Sequence, residues 1–283
     1  MRKIAVALAA CALALPAQRA SATPSTLFWT PATNYIQPYL VPHITYDTYF
    51  NDKANYPMDL GLTIGILPFE KFQAEVGLDF FLPYWNSGFG SSHGLTTFFG
   101  SPAGTLQLNA KAGFVEGAFG EWFPGITFGI YGVGVNQATQ FDVLHAEIGK
   151  TFGFGAITVG GYYGAGGSNK YWSDVDGVYL DRAGFIGSYL SPDIEIGLKG
   201  LTKINFFADV QTGNNVYSAV AGGVGIYFTP SIDLLTGPVF FLNKYSQVGM
   251  SNFMWSVQLD VDIDFGPAPK APEPAKTEEP AKS

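Results

Sequence analysis

The sequence predicts an all-β protein: a closed antiparallel transmembrane β-barrel of about twelve strands, within a range of about 10–14. The first observation is the segment 255–265, in which apolar and polar residues alternate without exception. Successive strand side chains point to opposite faces, so one face is apolar and the other carries three carboxylates. The second is composition, with 13% charged and 16% aromatic residues. The third is that no stretch beyond the N-terminal residues reaches the ~18 apolar residues of a transmembrane helix, which leaves a barrel as the way to cross a bilayer.

The N-terminal residues have the composition of an export signal. Arg2 and Lys3 precede an apolar run, and the small residues 20–22 form a cleavage site. Residues 1–22 are therefore predicted to be a signal peptide, and a lipoprotein cleavage box ending at Cys11 is the alternative. Because Cys11 is the only cysteine, the mature chain would have no disulfide, thiolate metal site or cysteine nucleophile.

The charge of the mature chain excludes one class of partner. Removal of the signal takes away three basic residues and no acid, which leaves 12 basic and 23 acidic residues. Nucleic-acid binding needs clustered Lys and Arg. We therefore expect no nucleic-acid partner.

Alternating runs predict the strands of the barrel between residues 37 and 265, with side chains such as Met58, Leu62 and Phe206 facing lipid. Outer-membrane barrels have short periplasmic turns and longer external loops, and an even strand count places both termini in the periplasm. Two joints, 115–125 and 190–201, are long for periplasmic turns, so the count could change by two. Short joints alternate with long loops in this chain. The short joints are 67–71, 151–155 and 228–231, and the long loops are 84–104 and 165–180.

Two flanking segments lie outside the predicted barrel. Residues 23–36 would be a periplasmic segment or a plug that enters the lumen. Residues 266–283 are rich in Pro, Ala, Lys and Glu and have no apolar pattern. That composition is typical of a disordered or extended linker. This tail would lie in the periplasm, where it could contact a partner.

Together, the signal peptide, the alternating strands and a final strand ending in an aromatic residue resemble the Gram-negative outer-membrane β-barrels with porin-like channel function. Residues 261–265 resemble the membrane-insertion signal of such barrels, with Phe265 as its aromatic end. Eighteen residues follow Phe265, whereas such a signal normally ends the chain. Residues 68–79 resemble a turn and strand of uncharacterised barrels of this kind. The resemblance implies a location in the outer membrane after export to the periplasm, with lipid and the barrel-assembly machinery as partners.

The polar faces of the predicted strands would line the lumen with an excess of acids. Low-dielectric walls focus the field of such charges, which favours cations. The alternative is that these charges keep the interior wet and pair across strands. Asp260, Asp262 and Asp264 are the sharpest candidates, because like charges at this spacing need water, Lys203 or a bound cation to relieve their repulsion. The predicted lumen residues are Asp47, Asp59, Glu75, Asp79, Lys111, Glu147, Lys203, Asp209, Asp233, Asp260, Asp262 and Asp264.

Metal and catalytic sites have weaker support in the sequence. Asp174, Asp176 and Asp181 are a weak candidate for surface calcium, since the rest of a calcium-binding loop is missing, and a solvated loop is the default interpretation. Barrel phospholipases use a His, a Ser and a polar orienting residue. No His-x-Ser occurs, since His43 is followed at that spacing by Thr45 and His145 by Glu147. We expect no cofactor and no enzymatic activity.

These observations predict an outer-membrane passive channel for small solutes, with an acidic lumen that favours cations. About twelve strands would leave a narrow bore. The first alternative is a non-conducting barrel with a structural or interaction role. The second, which has little support, is a lipid-modifying enzyme of the outer membrane.

Overall fold

The computed structural model describes residues 26–51, 58–82, 106–134, 141–166, 180–215, 217–243 and 252–263. The predicted signal peptide 1–22 and tail 266–283 lie outside these residues. No helix among the described residues is long and apolar enough to cross a lipid bilayer.

Strands make up most of the described chain. Most are 8–11 residues long, close to the ~9–11 residues with which a tilted strand crosses a bilayer. The strands are β1 (Pro42–Phe50), β2 (Met58–Gly65), β3 (Phe72–Leu82), β4 (Leu106–Phe114), β5 (Gly125–Gly134), β6 (Val143–Phe152), β7 (Gly155–Gly164), β8 (Ala183–Leu190), β9 (Ile194–Leu198), β10 (Leu201–Gln211), β11 (Ala219–Thr229), β12 (Ile232–Phe241) and β13 (Phe253–Asp262).

The strands form a closed antiparallel barrel. Each of β1 to β8 pairs with the next, β8 pairs with β10, and β10 to β13 continue the sheet until β13 pairs with β1. Twelve strands therefore form the wall, and β9 lies outside this cycle. The predicted fold class is confirmed. We call the end at which β1 begins and β13 ends the termini end, and the other the loop end.

The two long joints at the termini end have different structures. In the joint that follows Leu190, β9 continues the direction of β8 and pairs with the first residues of β10. The hairpin between β9 and β10 contains Gly197 and Gly200, both at positive φ, where glycine has no steric penalty. The joint after Phe114 is a folded turn, in which Gly117 N–H donates to the Phe123 carbonyl. Neither joint adds a strand to the wall.

The outer surface of the barrel is apolar. Side chains that alternate along each strand are exposed, up to 76% for Phe185. Met58 and Ala74 share the outward phase of the alternation but are buried, and the expectation that Met58 is in contact with lipid is wrong. Its sulfur accepts a hydrogen bond from the Tyr46 hydroxyl. Other exposed apolar residues include Leu62, Val76, Leu108, Phe128, Leu144, Ile148, Val159, Phe206, Val220, Phe240 and Leu259.

Most of residues 26–41 lies inside the barrel, whereas Leu40 is 52% exposed. Leu27, Phe28 and Ile36 are at most 4% exposed, and Ala32 is fully buried. Phe28 joins a buried cluster with side chains of β10 to β13, and Ala32 joins a second cluster with side chains of β6 to β8. The segment therefore supplies much of the apolar packing within the lumen. We call residues 26–41 the internal segment.

Candidate functional site: an acidic cavity beside the internal segment

One side of the internal segment is anchored to the wall formed by β5 to β8 and β10, which we call the opposite wall. A carboxylate oxygen of Asp209 accepts hydrogen bonds from the backbone N–H groups of Trp29 and Thr30, each at 2.8 Å. The Ser188 hydroxyl donates to the carbonyl of Ala32. These bonds satisfy backbone groups that burial would otherwise leave unpaired, at a cost of ~1–3 kcal/mol each.

A second set of contacts holds the segment at the termini end. The backbone N–H of Gln37 donates to Glu75 at 2.5 Å, and its side-chain amide donates to Asp262 at 2.9 Å. Tyr39 then forms an isolated bridge with Gly65 before β1 begins. The internal segment is therefore held in two places, at the opposite wall and at the termini end.

The internal segment leaves part of the lumen empty. A cavity of about 170 Å³ remains between its residues 26–31 and the wall. At ~30 Å³ per water in the liquid, this is room for about five molecules. Acids outnumber bases around it. The carboxylate and basic side chains that line the cavity are Asp47, Asp59, Glu75, Asp79, Asp260, His43, Lys111 and His145.

Strand register concentrates the acids on the wall formed by β12, β13, β1, β2 and β3, which we call the acidic wall. Asp233 lies directly opposite Asp260, and Asp47 lies directly opposite Asp59. Directly opposite like charges destabilise a strand pair. The acidic wall therefore contains two such pairs on neighbouring strands.

A glycine makes room for a further carboxylate on this wall. Gly61 lies between Thr45 and Asp79 in the register of β1, β2 and β3. A Cβ at Gly61 would be 2.5 Å from the Thr45 methyl and 2.9 Å from an Asp79 oxygen, closer than van der Waals contact. The missing side chain lets the Asp79 carboxylate lie over the strand, where the Asn109 amide donates to it.

His43 is the base that accompanies the acids of β13. Its Nδ1 lies 3.0 Å from Asp262 and its Nε2 lies 3.5 Å from Asp260. This arrangement suits the doubly protonated ring, which has a donor on each nitrogen. Lys203, expected to relieve the repulsion among these acids, instead pairs with Asp193 at 2.6 Å and lies over the Tyr227 ring. That expectation is corrected, because His43 occupies the space between the two carboxylates.

Two further carboxylates inside the barrel, Glu147 and Glu75, have partners among the wall side chains. His145 Nδ1 lies 2.5 Å from Glu147, and the Thr127 hydroxyl donates to the same carboxylate at 2.7 Å. Lys111, on the neighbouring strand β4, lies 3.8 Å from Glu75. These acids therefore have partners of their own and contribute less to the field in the cavity.

Several buried carboxylate oxygens have no hydrogen-bond partner within the described part of the chain. They are one oxygen each of Asp59, Asp142, Asp209 and Asp262, and both oxygens of Asp233. Buried polar groups are almost always bonded, so each exception calls for a bound water or ion, or for a functional explanation. Three of these five residues, Asp59, Asp233 and Asp262, belong to the acidic wall.

The predicted lumen residues within the described ranges lie on the inner face of the barrel. Lys203 lies on that face at the termini end. Their role in an ion path stays a prediction. Asp264, Phe265, Asp174 and Asp176 lie outside the described residues. Asp181 accepts a hydrogen bond from the backbone N–H of Asn214. In the described ranges, no three His, Cys, Asp or Glu side chains form a group able to hold a metal ion.

Some residues that shape the site are not among the predicted lumen residues. Asn109 binds Asp79, and Gln258 donates to the carbonyl of Phe28. Both lie on polar faces of alternating strands, so the strand pattern contained the signal that could have found them. The contacts of Trp29 and Thr30 had no such signal, because the internal segment has no periodicity.

No protein-family model matches this sequence, and no curated protein matches it. Solved structures with a similar arrangement include an outer membrane channel from Pseudomonas putida F1, 13% identical over 81% of this chain and 97% of that chain, with a TM-score of 0.40. Outer membrane phospholipase A from Escherichia coli is 12% identical over 81% of this chain and 94% of that chain, with a TM-score of 0.38. An active-site mutant of that phospholipase is 13% identical over 81% and 91%, with a TM-score of 0.36. Because these TM-scores are low, the likeness carries no argument about activity.

Proposed function

We propose that this protein is an outer-membrane β-barrel that forms a narrow channel for small cations. In this proposal ions pass between the internal segment and the acidic wall. The observation that carries it is the cavity of about 170 Å³, which four aspartates of the acidic wall line. A low-dielectric wall focuses the field of such charges and raises the local concentration of cations.

The outer surface supports a membrane location. Every strand of the wall has at least one exposed large apolar side chain, and lipid covers such side chains in transmembrane barrels. Exposed aromatic rings mark the termini end, among them Phe119, Phe154 and Trp122, which is 75% exposed. Aromatic girdles of this kind lie at membrane interfaces.

A non-conducting barrel is the second candidate, and the internal segment favours it. Its hydrogen bonds to Asp209, Ser188, Glu75 and Asp262 and its buried apolar side chains reduce the open cross-section. In this alternative the acids only keep the interior hydrated. The two candidates differ in whether current crosses the folded barrel.

We further propose that the protein is not an enzyme. The two histidines that the structure describes, His43 and His145, are buried inside the barrel and each faces a carboxylate. A lipid-modifying enzyme needs its catalytic histidine within reach of lipid at the outer face. Lipid hydrolysis that is lost in His43→Ala or His145→Ala variants would contradict this proposal.

The test is the reversal potential of the purified barrel in a planar bilayer across a KCl gradient. The channel proposal predicts discrete conductance with a cation-selective reversal potential. Replacement of Asp47, Asp59, Asp79 and Asp260 by Asn should move that potential toward zero, because the field in the cavity is removed. Glu147→Gln is the matched control, since its carboxylate is paired within the opposite wall, and it should leave selectivity unchanged. Folded protein without conductance would favour the non-conducting barrel.

A further inference from the structure

Asp233 is a fully buried acid on the inner face of β12. It is 0% exposed, and neither carboxylate oxygen has a hydrogen-bond partner among the described residues. Removal of an ionised carboxylate from water without a partner costs far more than a single hydrogen bond contributes. Either a proton or a bound cation is therefore required to neutralise this side chain.

The neighbours of Asp233 add further negative charge that must be neutralised. Asp260 lies directly opposite on β13 and is also buried, and Asp262 follows two residues later on the same face with one unpaired oxygen. His43 is the base that contacts this group, and it is shared between Asp260 and Asp262. One imidazolium cannot neutralise three carboxylates. Asp233 is the acid that His43 does not contact.

The register also connects Asp233 to the cavity. Asp260 lines the cavity. Asp233 is its cross-strand partner on β12, one strand further around the barrel. A cation in the cavity would thus meet Asp260 first and the unpaired oxygens of Asp233 behind it. On the other side of Asp233 the register partner is Tyr227, which Lys203 covers.

We propose that Asp233 and Asp260 together bind one small monovalent inorganic cation, Na⁺ or K⁺, beside the acidic cavity. The inference deepens the proposed channel function and rests on it for the route by which the cation arrives. The site would be a resting position for the permeant ion within the acidic wall.

The surroundings favour a monovalent ion over a divalent one. Calcium takes six to eight oxygen ligands. Two carboxylates on neighbouring strands supply fewer ligands, and waters of the cavity would complete the shell of an ion that keeps part of its hydration. An organic ammonium ion is disfavoured, because it is larger than Na⁺ or K⁺ and the Asp233 carboxylate is fully buried.

Binding can be measured on the intact barrel in zwitterionic detergent, without reference to conductance. Equilibrium dialysis against ²²Na⁺ should show about one saturable ion per chain, lost in Asp233→Asn. The unfolding midpoint of the wild type should also depend on Na⁺, and this dependence should be lost in Asp233→Asn. At constant ionic strength, replacement of choline by Na⁺ should raise the unfolding midpoint by about 3 °C for each tenfold rise in concentration above the dissociation constant.

Controls separate this site from the acidity of the lumen as a whole. Glu147→Gln removes a buried carboxylate that has partners and should keep both the bound ion and the dependence on Na⁺. If Asp233→Asn fails to fold, Asp260→Asn is the second variant and should show the same loss of binding.

Two results would overturn the proposal. One is saturable ²²Na⁺ binding that persists in both Asp233→Asn and Asp260→Asn. The other is a wild-type midpoint that is the same in Na⁺ and choline, because Asp233 would then be neutralised by a proton. A barrel that binds Na⁺ at this site and carries no current would keep this inference and reject the channel.

Discussion

The opposite wall and the acidic wall use buried polar groups in different ways. On the opposite wall, Glu147 is bonded to His145 and Thr127, and one oxygen of Asp209 accepts two backbone N–H groups of the internal segment while its other oxygen has no partner among the described residues. On the acidic wall, Asp233 and Asp59 retain unpaired oxygens and each faces another aspartate across its strand pair. Arrangements that cost stability without a local gain are expected at functional sites. One wall holds the internal segment, and under the channel proposal the other faces the permeant cation.

Deletion of residues 26–36 is the largest test of this difference. It removes the segment that fills the lumen beside the opposite wall, so the single-channel conductance should rise several-fold while the barrel strands remain. Deletion of residues 266–283 is the control, and it should leave the conductance as it is. Unchanged conductance after the first deletion would show that the segment does not limit the current.

Phe28→Ala should have the next largest effect. The Phe28 ring lies 4.6 Å from the Phe207 ring within a buried cluster, and loss of a buried phenylalanine costs ~3–5 kcal/mol. Because a few contacts hold the internal segment, the lost packing energy should release the segment from the wall. The measurement is the rate of thiol labelling of Thr30→Cys, a position that is 1% exposed, and the rate should increase strongly. Phe69→Ala, at a 57% exposed turn residue, should not change it.

Asp209→Ala should weaken the same docking by less. It leaves the N–H groups of Trp29 and Thr30 unpaired in a buried site, at ~1–3 kcal/mol each. Labelling of Thr30→Cys should again accelerate. Asp59→Asn, on the acidic wall, should leave labelling unchanged, because Asp59 makes no contact that holds the segment. Equal acceleration by both variants would contradict the division between the walls.

Glu116→Gln should have the smallest effect. Glu116 lies outside the wall at the termini end, 2.8 Å from Lys150, and accepts a hydrogen bond from the Thr151 hydroxyl. Partial burial raises its pKa, but these contacts outweigh burial and the net pKa is lowered below its usual 4.5. A lowered folded-state pKa means that the contribution to stability is present above pH ~4.5 and is lost as pH falls through the folded-state value. An exposed pair contributes ~0.2–1 kcal/mol.

The pH dependence of the unfolding midpoint measures this contribution. The wild type should lose a small part of its stability on acidification below pH ~4.5, and Glu116→Gln should lack that part. An equal acid dependence in both proteins would assign the loss to other groups.

The sequence predicted the wall better than what lies inside it. Strict alternation in strands such as β13 sets which side chains face outward, so the closed barrel and the inward positions of Asp233 and Asp260 follow from periodicity. The pairing of Asp47 with Asp59 depends on register, which loop lengths do not specify. The path of residues 26–41 depends on long-range contacts such as Trp29 with Asp209, and no local pattern encodes these.

The most direct test of the central claim is modification of a cysteine on each wall by a positively charged thiol reagent during conductance recording. Thr63→Cys places the thiol on the acidic side of the cavity, whereas Thr127→Cys places it at a fully buried position of the opposite wall, beside the Thr33 carbonyl of the internal segment. The reagent should reduce the current through Thr63→Cys and leave Thr127→Cys unaffected. Block of Thr127→Cys alone, or equal block of both, would contradict the channel proposal.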